Sequence, residues 1–183
     1  MCKAPSGKSP RVVVYGGSFD PVTIGHLDII HRATTLFDRV VVAIGINPTR
    51  NPIFTVEERV ELLRAVTENI PGVEVTCFDG LLVDFCVQVG ADAIVRGLRA
   101  VTDFEVELQI AHANADMTPS VDTVFLPTRT NYGFISASLV REIASHGGDV
   151  SKYAPQPVCV ALMRKFREAR ALDPRVSDST LPK

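Results

Sequence analysis

The stretch Arg11-Val12-Val13-Val14-Tyr15-Gly16-Gly17-Ser18-Phe19-Asp20-Pro21-Val22-Thr23-Ile24-Gly25-His26 decides the fold. Arg11 to Tyr15 is β-branched and nearly all apolar, as a central parallel strand covered on both faces requires. Gly16-Gly17 ends the strand, and a helix is predicted from about Thr23 to Leu36. Between them, glycines let backbone amides approach an anion, and the helix start adds unpaired N–H groups and a favourable dipole. The loop is therefore a candidate phosphate site. It is neither a dinucleotide G-x-G-x-x-G fingerprint nor a P-loop, because Gly25 is followed by His26 rather than by Lys and a hydroxyl residue.

Outward from this unit, strand and helix signals alternate. Val40 to Ile46 reads as the second strand, and Thr55-Val56-Glu57-Glu58 has the capping-box pattern that opens a helix running to about Asn69, stopped by Pro71-Gly72. Strands at Val73 to Phe78, Ala93 to Val95 and Thr123 to Leu126 alternate with helices near Leu81 to Val89 and Asp103 to Asp116. A helix from Ser136-Ala137-Ser138 to about Ser145 stops at Gly147-Gly148, and a last helix runs from about Pro157 to Arg170. This βαβ succession predicts an α/β, Rossmann-like parallel sheet with helices on both faces, its ligands outside the carboxyl ends of the strands at the switch point. A single domain over residues 11–172 is expected, flanked by flexible tails at 1–10 and 173–183, with no internal repeat.

Composition limits the function classes. Of 183 residues, 46% are hydrophobic and 22% charged, which suits one globular core. Lys plus Arg number 19 against 21 Asp plus Glu, so no overall field attracts nucleic acid or an acidic membrane, and any anion site must be local. No apolar run is long enough to span a membrane and the N-terminus has no signal-peptide pattern, so a cytoplasmic location is expected. Cys2, Cys77, Cys86 and Cys159 form no C-x-x-C pair; the last three have apolar sequence neighbours and read as reduced, packed thiols.

Several residues carry chemistry. His26, in the opening helical turn, could point an imidazole N–H at an α-phosphate, or could merely cap or pack the helix; its setting in Thr-x-Gly-His favours the first. Asp20 could hold magnesium or shape the turn before Pro21, and the turn role is favoured. Arg50, in Asn47 to Pro52, could fork onto a phosphate. Arg96-Gly97-Leu98-Arg99 places two cations around a glycine after an apolar strand, suiting two different phosphates. Glu107 could accept a ribose hydroxyl, and Ser136 and Ser138 either cap a helix or add donors for a triphosphate. His31, His112 and His146 lack metal-ligand spacing.

Together, Gly-Ser-Phe-Asp-Pro-x-Thr-x-Gly-His, Arg-Gly-Leu-Arg followed by Asp-Phe-Glu, and Ile-Ser-x-Ser resemble the bacterial phosphopantetheine adenylyltransferases of coenzyme A biosynthesis, over about Val12 to Leu162. The resemblance implies ATP plus 4′-phosphopantetheine giving dephospho-coenzyme A and pyrophosphate, with magnesium on the triphosphate rather than on a protein site, and a homohexamer. It implies that Ser18 touches both substrates, Phe19 touches ATP, and His26 touches ATP and stabilises the transition state. Arg50, the Leu82 backbone and Arg96 would hold phosphopantetheine. Gly97, Leu98, Arg99, Glu107, and the run Tyr132, Gly133, Phe134, Ile135, Ser136, Ala137 and Ser138 would hold ATP, with Arg50 and Arg99 sharing the catalytic work of His26. Three positions depart from the pattern: Arg50 stands for a usual lysine, Ala137 for a serine, and Val106 for a frequent tyrosine.

A phosphate-monoester acceptor is largely dianionic at neutral pH, with a second pKa of about 6, so no protein base is needed to activate it. The alternatives are a sister transferase with another phosphorylated acceptor such as nicotinate mononucleotide, and a non-catalytic nucleotide-binding regulator on the same fold.

Overall fold

A computed structural model describes residues 9–46 and 52–172. The tails expected at 1–10 and 173–183 therefore fall, apart from Ser9 and Pro10, outside the described residues. Five strands form one parallel sheet: β1 (Val12–Gly17), β2 (Arg39–Gly45), β3 (Val73–Phe78), β4 (Ala93–Leu98) and β5 (Asp122–Pro127). The helices are α1 (Ile24–Leu36), α2 (Val56–Thr67), α3 (Leu82–Val89), α4 (Val101–Met117), α5 (Ala137–Ser145) and α6 (Gln156–Leu172), with a 3-10 turn at Thr130–Tyr132. The strand order is β3-β2-β1-β4-β5, so the chain direction across the sheet reverses between β1 and β4.

The period of two along the inner strands sorts their side chains onto the two faces of the sheet. Val13, Tyr15, Val40, Val42 and Ile44 pack with Ile29, Ile30, Leu63, Val140 and Leu162 of α1, α2, α5 and α6. Val12, Val14, Val41, Ala43 and Ile94 pack on the other face with Val83 and Cys86 of α3. Full burial of each Val or Ile contributes about 1.5–3 kcal/mol, which makes β1 and β2 the anchor of the fold.

Three sequence expectations are corrected. The strand predicted at Ala93 to Val95 continues to Leu98, because Arg96, Gly97 and Leu98 pair in register with Phe125, Leu126 and Pro127 of β5; the arginine-glycine element is thus part of the strand end rather than a loop after it. The helix predicted from Asp103 opens two residues earlier, at Val101. Cys77, expected among apolar packing, is exposed, since β3 is an edge strand with no fully buried residue; Cys86 and Cys159 are buried as expected.

Candidate active site

At the reversal between β1 and β4, the first loop and the end of β4 line two adjoining clefts that share Gly16, Gly17, Ser18 and Arg96. One, of about 480 Å³, is walled by α1 and the start of α5, with Thr23, His26, Arg99, Glu107, Ser136 and Ser138 in its lining. The other, of about 560 Å³, has apolar walls from Ile46, Pro52, Phe78 and Leu82, with Arg59, Arg96 and Arg141 as its cations. Both are within the range of small-molecule sites, roughly 300–1,000 Å³.

Thr23 caps α1 and forms a reciprocal capping box with His26: the Thr23 hydroxyl accepts the His26 backbone N–H, and His26 Nδ1 accepts the Thr23 backbone N–H at 3.0 Å. Such boxes usually carry Glu or Gln at the third helical position. Burial, with the Arg99 charge adding to it, pushes the His26 pKa down to about 4, so the ring is neutral at pH 7. An acceptor at Nδ1 in a neutral ring leaves the proton on Nε2, and the residue lines the first cleft. The capping role and the donor role weighed from the sequence are therefore compatible in one side chain.

Arg96 is held as a fork. Its Nε and Nη2 donate to Glu107 at 2.5 and 2.6 Å, and Nη1 donates to the Gly16 carbonyl at 2.9 Å. Glu107, expected to meet a ribose, is thus bound to Arg96 at the junction of the clefts. Arg99 makes the same kind of fork with Asp103, which also accepts the Arg99 backbone N–H. Ser136 caps α5 through the Leu139 N–H, and Ser138, whose Oγ accepts from Arg141 Nη2, lines the cleft with it.

Asp20 is 6% exposed, and its carboxylate accepts the backbone N–H groups of Ile53 and Phe54, both at 3.0 Å. Its work extends beyond the turn before Pro21: it ties the first loop to the segment leading into α2. Arg59 donates to the Ser18 carbonyl at 2.9 Å and Arg141 donates to the Asp20 carbonyl. The sequence reading missed both arginines. Arg59 sits in a helix whose other charges are mostly exposed, but Arg141 follows Ser138 by one helical turn, a spacing that places both on one side of α5.

Of the other expected residues, Ile135 and Ala137 line the first cleft, as does Gly97. Phe19 also borders it; the residue is 2% exposed and its ring stands edge-on to Tyr15 and His26. Leu98, Tyr132, Gly133 and Phe134 stand outside the lining, Phe134 exposed and edge-on to Tyr153. Leu82 opens α3 in the second cleft. Arg50 lies outside the described residues. Among the described residues, no group of three or more His, Cys, Asp or Glu could hold a metal ion, and His31, His112 and His146 are exposed.

Residues 14–143 match the cytidylyltransferase-like family model. Phosphopantetheine adenylyltransferase of Caldanaerobacter subterraneus subsp. tengcongensis is 52% identical over 159 residues, covering 87% of this chain and 99% of that protein. The protein of the same name from Heliobacterium modesticaldum is 54% identical over 155 residues, covering 85% and 92%. In fold, the chain is similar to a solved Vibrio parahaemolyticus structure described as a nicotinate-nucleotide adenylyltransferase, with TM-score 0.65 and 19% identity, covering 87% of this chain and 97% of that one. With the sheet reversal, the shared loop and half the sequence in common with these relatives, the chain belongs to the phosphopantetheine adenylyltransferase family of cytidylyltransferase-like nucleotidyltransferases.

Proposed function

We propose that this chain transfers the adenylyl group of ATP to 4′-phosphopantetheine, giving dephospho-coenzyme A and pyrophosphate. The observation that carries the reading is the pair of clefts meeting at Gly16, Gly17, Ser18 and Arg96, one polar and lined by the starts of α1 and α5, the other with apolar walls from Ile46, Pro52, Phe78 and Leu82 and with Arg96 where the two join. ATP suits the first, through the starts of α1 and α5, Gly97, Arg99 and the Ile135 to Ser138 stretch. The pantetheine arm suits the walls of Ile46, Phe78 and Leu82, with its phosphate toward Arg96; Arg50, outside the described residues, is proposed as a second phosphate contact on the family pattern alone.

In this reading an oxygen of the acceptor phosphate forms a bond to the α-phosphorus as the bond from that phosphorus to the pyrophosphate oxygen breaks. The acceptor is already dianionic, so catalysis rests on aligning two repelling anions and stabilising the charge that moves. His26 Nε2–H, as a neutral donor, hydrogen-bonds the α-phosphate as it gains charge, and Arg99 with the α5 start receives the departing pyrophosphate. Tyr15, whose phenol is pushed up by burial, stays protonated and supplies no base. Magnesium, proposed to arrive on the triphosphate, supplies charge neutralisation there. The carboxylates near the clefts fit that arrangement: Asp20 is committed to two amides, Glu107 to Arg96 and Asp103 to Arg99.

A homohexamer in the cytoplasm completes the proposal. No helix among the described residues is long and apolar enough to cross a membrane. Helix α4 buries only Ala111 and Asn114 while exposing Val101, Phe104, Val106, Ile110 and Met117, an apolar surface that suits contact with another copy. The deciding experiment is pyrophosphate release from ATP and magnesium with phosphopantetheine, with nicotinate mononucleotide, and with no acceptor. Release with phosphopantetheine alone supports the reading; release only with nicotinate mononucleotide, or none at all, overturns it.

A further inference from the structure

We propose that Arg141 is a positioning residue for the adenylyl transfer, an inference that rests on the function proposed above. Its guanidinium fastens the Ser18–Asp20 turn, at the meeting of the two clefts, to the start of α5 on one side and to the segment before α2 on the other. Nη2 donates to Ser138 Oγ at 3.2 Å, while Nη1 donates to the Asp20 carbonyl and lies 3.7 Å from Asp20 Oδ2. That same carboxylate accepts the Ile53 and Phe54 amides. One side chain therefore links a residue of the nucleotide cleft, the shared turn and, through Asp20, the mouth of the acceptor cleft.

The turn needs such support. Phe19 has φ 44°, left-handed backbone that a bulky residue adopts only where its surroundings hold it. Guanidinium groups hold the chain before and after it: Arg59 binds the Ser18 carbonyl, in the peptide unit that precedes Phe19, and Arg141 binds the carbonyl of the next residue, Asp20. Because a peptide unit is planar and trans, fixing the Ser18 carbonyl also fixes the direction of the Phe19 N–H. Arg59 is 6% exposed and also bonds the Thr55 carbonyl, so it is part of the packed framework. Arg141 is the accessible member, with its side chain 32% exposed in the acceptor cleft lining. A guanidinium spans both partners, Ser138 and Asp20, where an ammonium reaches fewer at once.

The test uses the full-length chain with Arg141→Gln and Arg141→Lys, measuring kcat at saturation with both substrates, each KM, and the melting temperature. Loss of charge-assisted bonds predicts that Arg141→Gln lowers kcat about 10- to 100-fold with each KM within about threefold. Arg141→Lys should fall between the two, at the melting temperature of the wild type. A purely structural arginine would lower melting and leave turnover per folded molecule unchanged. An Arg141→Gln variant within twofold of wild-type kcat overturns the inference; should that variant not fold, Arg141→Lys with wild-type kcat overturns it equally. If the wild type releases no pyrophosphate with phosphopantetheine, the functional reading itself fails and the positioning role falls with it. An active wild type with an active Arg141→Gln removes the inference alone.

Discussion

Thr23 and His26 satisfy each other at the start of α1: His26 Nδ1 takes the Thr23 N–H at 3.0 Å, and Thr23 Oγ1 takes the His26 N–H at 3.3 Å. The exchange fixes the ring, its tautomer and the helix start together. The residue proposed to meet the transition state thus also caps the helix that carries it, and its two roles should separate on mutation.

Replacing His26 by Ala removes both roles. Loss of the box should cost about 0.5–2 kcal/mol of stability, and loss of the donor should lower kcat a hundredfold or more, with the ATP dissociation constant little changed. His26→Gln keeps an acceptor at the position where capping boxes favour it, so melting should return to near the wild-type value while kcat stays well below it. Turnover, ATP affinity and melting temperature on both variants decide the matter. Normal turnover in His26→Ala would leave His26 a capping residue only.

The depressed His26 pKa makes a pH prediction. In the unfolded chain the imidazole titrates near 6.5, whereas in the folded chain burial first, and Arg99 second, hold it near 4. The unfolded state therefore binds the proton more readily below pH 6.5, and the stability this group contributes, complete above that pH, is lost as the pH falls from 6.5 toward 4. Melting curves should show wild type losing more stability than His26→Gln over that window. The kcat profile should lack a histidine step between about pH 6 and 8. Equal acid sensitivity of the two proteins would place the ring in solvent.

The Arg96–Glu107 fork predicts that these residues do not act independently. Arg96→Ala should raise the KM for phosphopantetheine about 10- to 100-fold, more than that for ATP, through loss of a charge-assisted phosphate contact. It also strands the Glu107 carboxylate in a half-buried site, so melting should fall, and Arg96→Ala with Glu107→Ala should recover part of that loss. The full double-mutant cycle, in melting temperature and in both KM values, measures the coupling. Strict additivity would show that the pair breaks apart in the working enzyme.

What could be read in advance followed local chemistry. The apolar run at Val12 to Tyr15, the Thr55 to Glu58 capping box and the Gly147-Gly148 stop are signals contained within a few residues, and each appears where the pattern put it. The glycine loop, His26 and Arg96 could be singled out as candidates because strand ends and helix starts converge at the switch point of such a sheet, and all three line the clefts there. Long-range partners were not legible. Asp20 meets Ile53 and Phe54 across more than thirty positions, Arg59 reaches back to Ser18, and Arg141 returns to Asp20 from the far end of the domain. Nothing in the local sequence of α2 marks Arg59 as inward and Arg64 as solvated, and for Arg141 in α5 the one local signal is its spacing from Ser138. The fork between Glu107 and Arg96 was likewise invisible, because it needs the third dimension.

Gly16 tests the boundary between the clefts. A Cβ added there would stand 2.8 and 2.9 Å from the two methyl carbons of Leu82, too close for any real contact, yet these are the ends of a flexible side chain. The backbone can therefore stay in place while Leu82 turns away, and Leu82 lines the acceptor cleft but not the nucleotide cleft. Overpacking of this kind costs about 1–3 kcal/mol, part of it falling on whatever occupies the displaced volume. Gly16→Ala should accordingly raise the KM for phosphopantetheine about tenfold and leave that for ATP within about twofold. Adding Leu82→Ala removes the obstructing methyl groups and should bring the acceptor KM back toward the wild-type value, although the single Leu82→Ala change weakens an apolar wall. Steady-state kinetics in each substrate on the two single variants and the double variant provide the reading. A double variant no better than Gly16→Ala alone would mean that the glycine serves close approach of the backbone to the phosphates, and that Leu82 is a bystander.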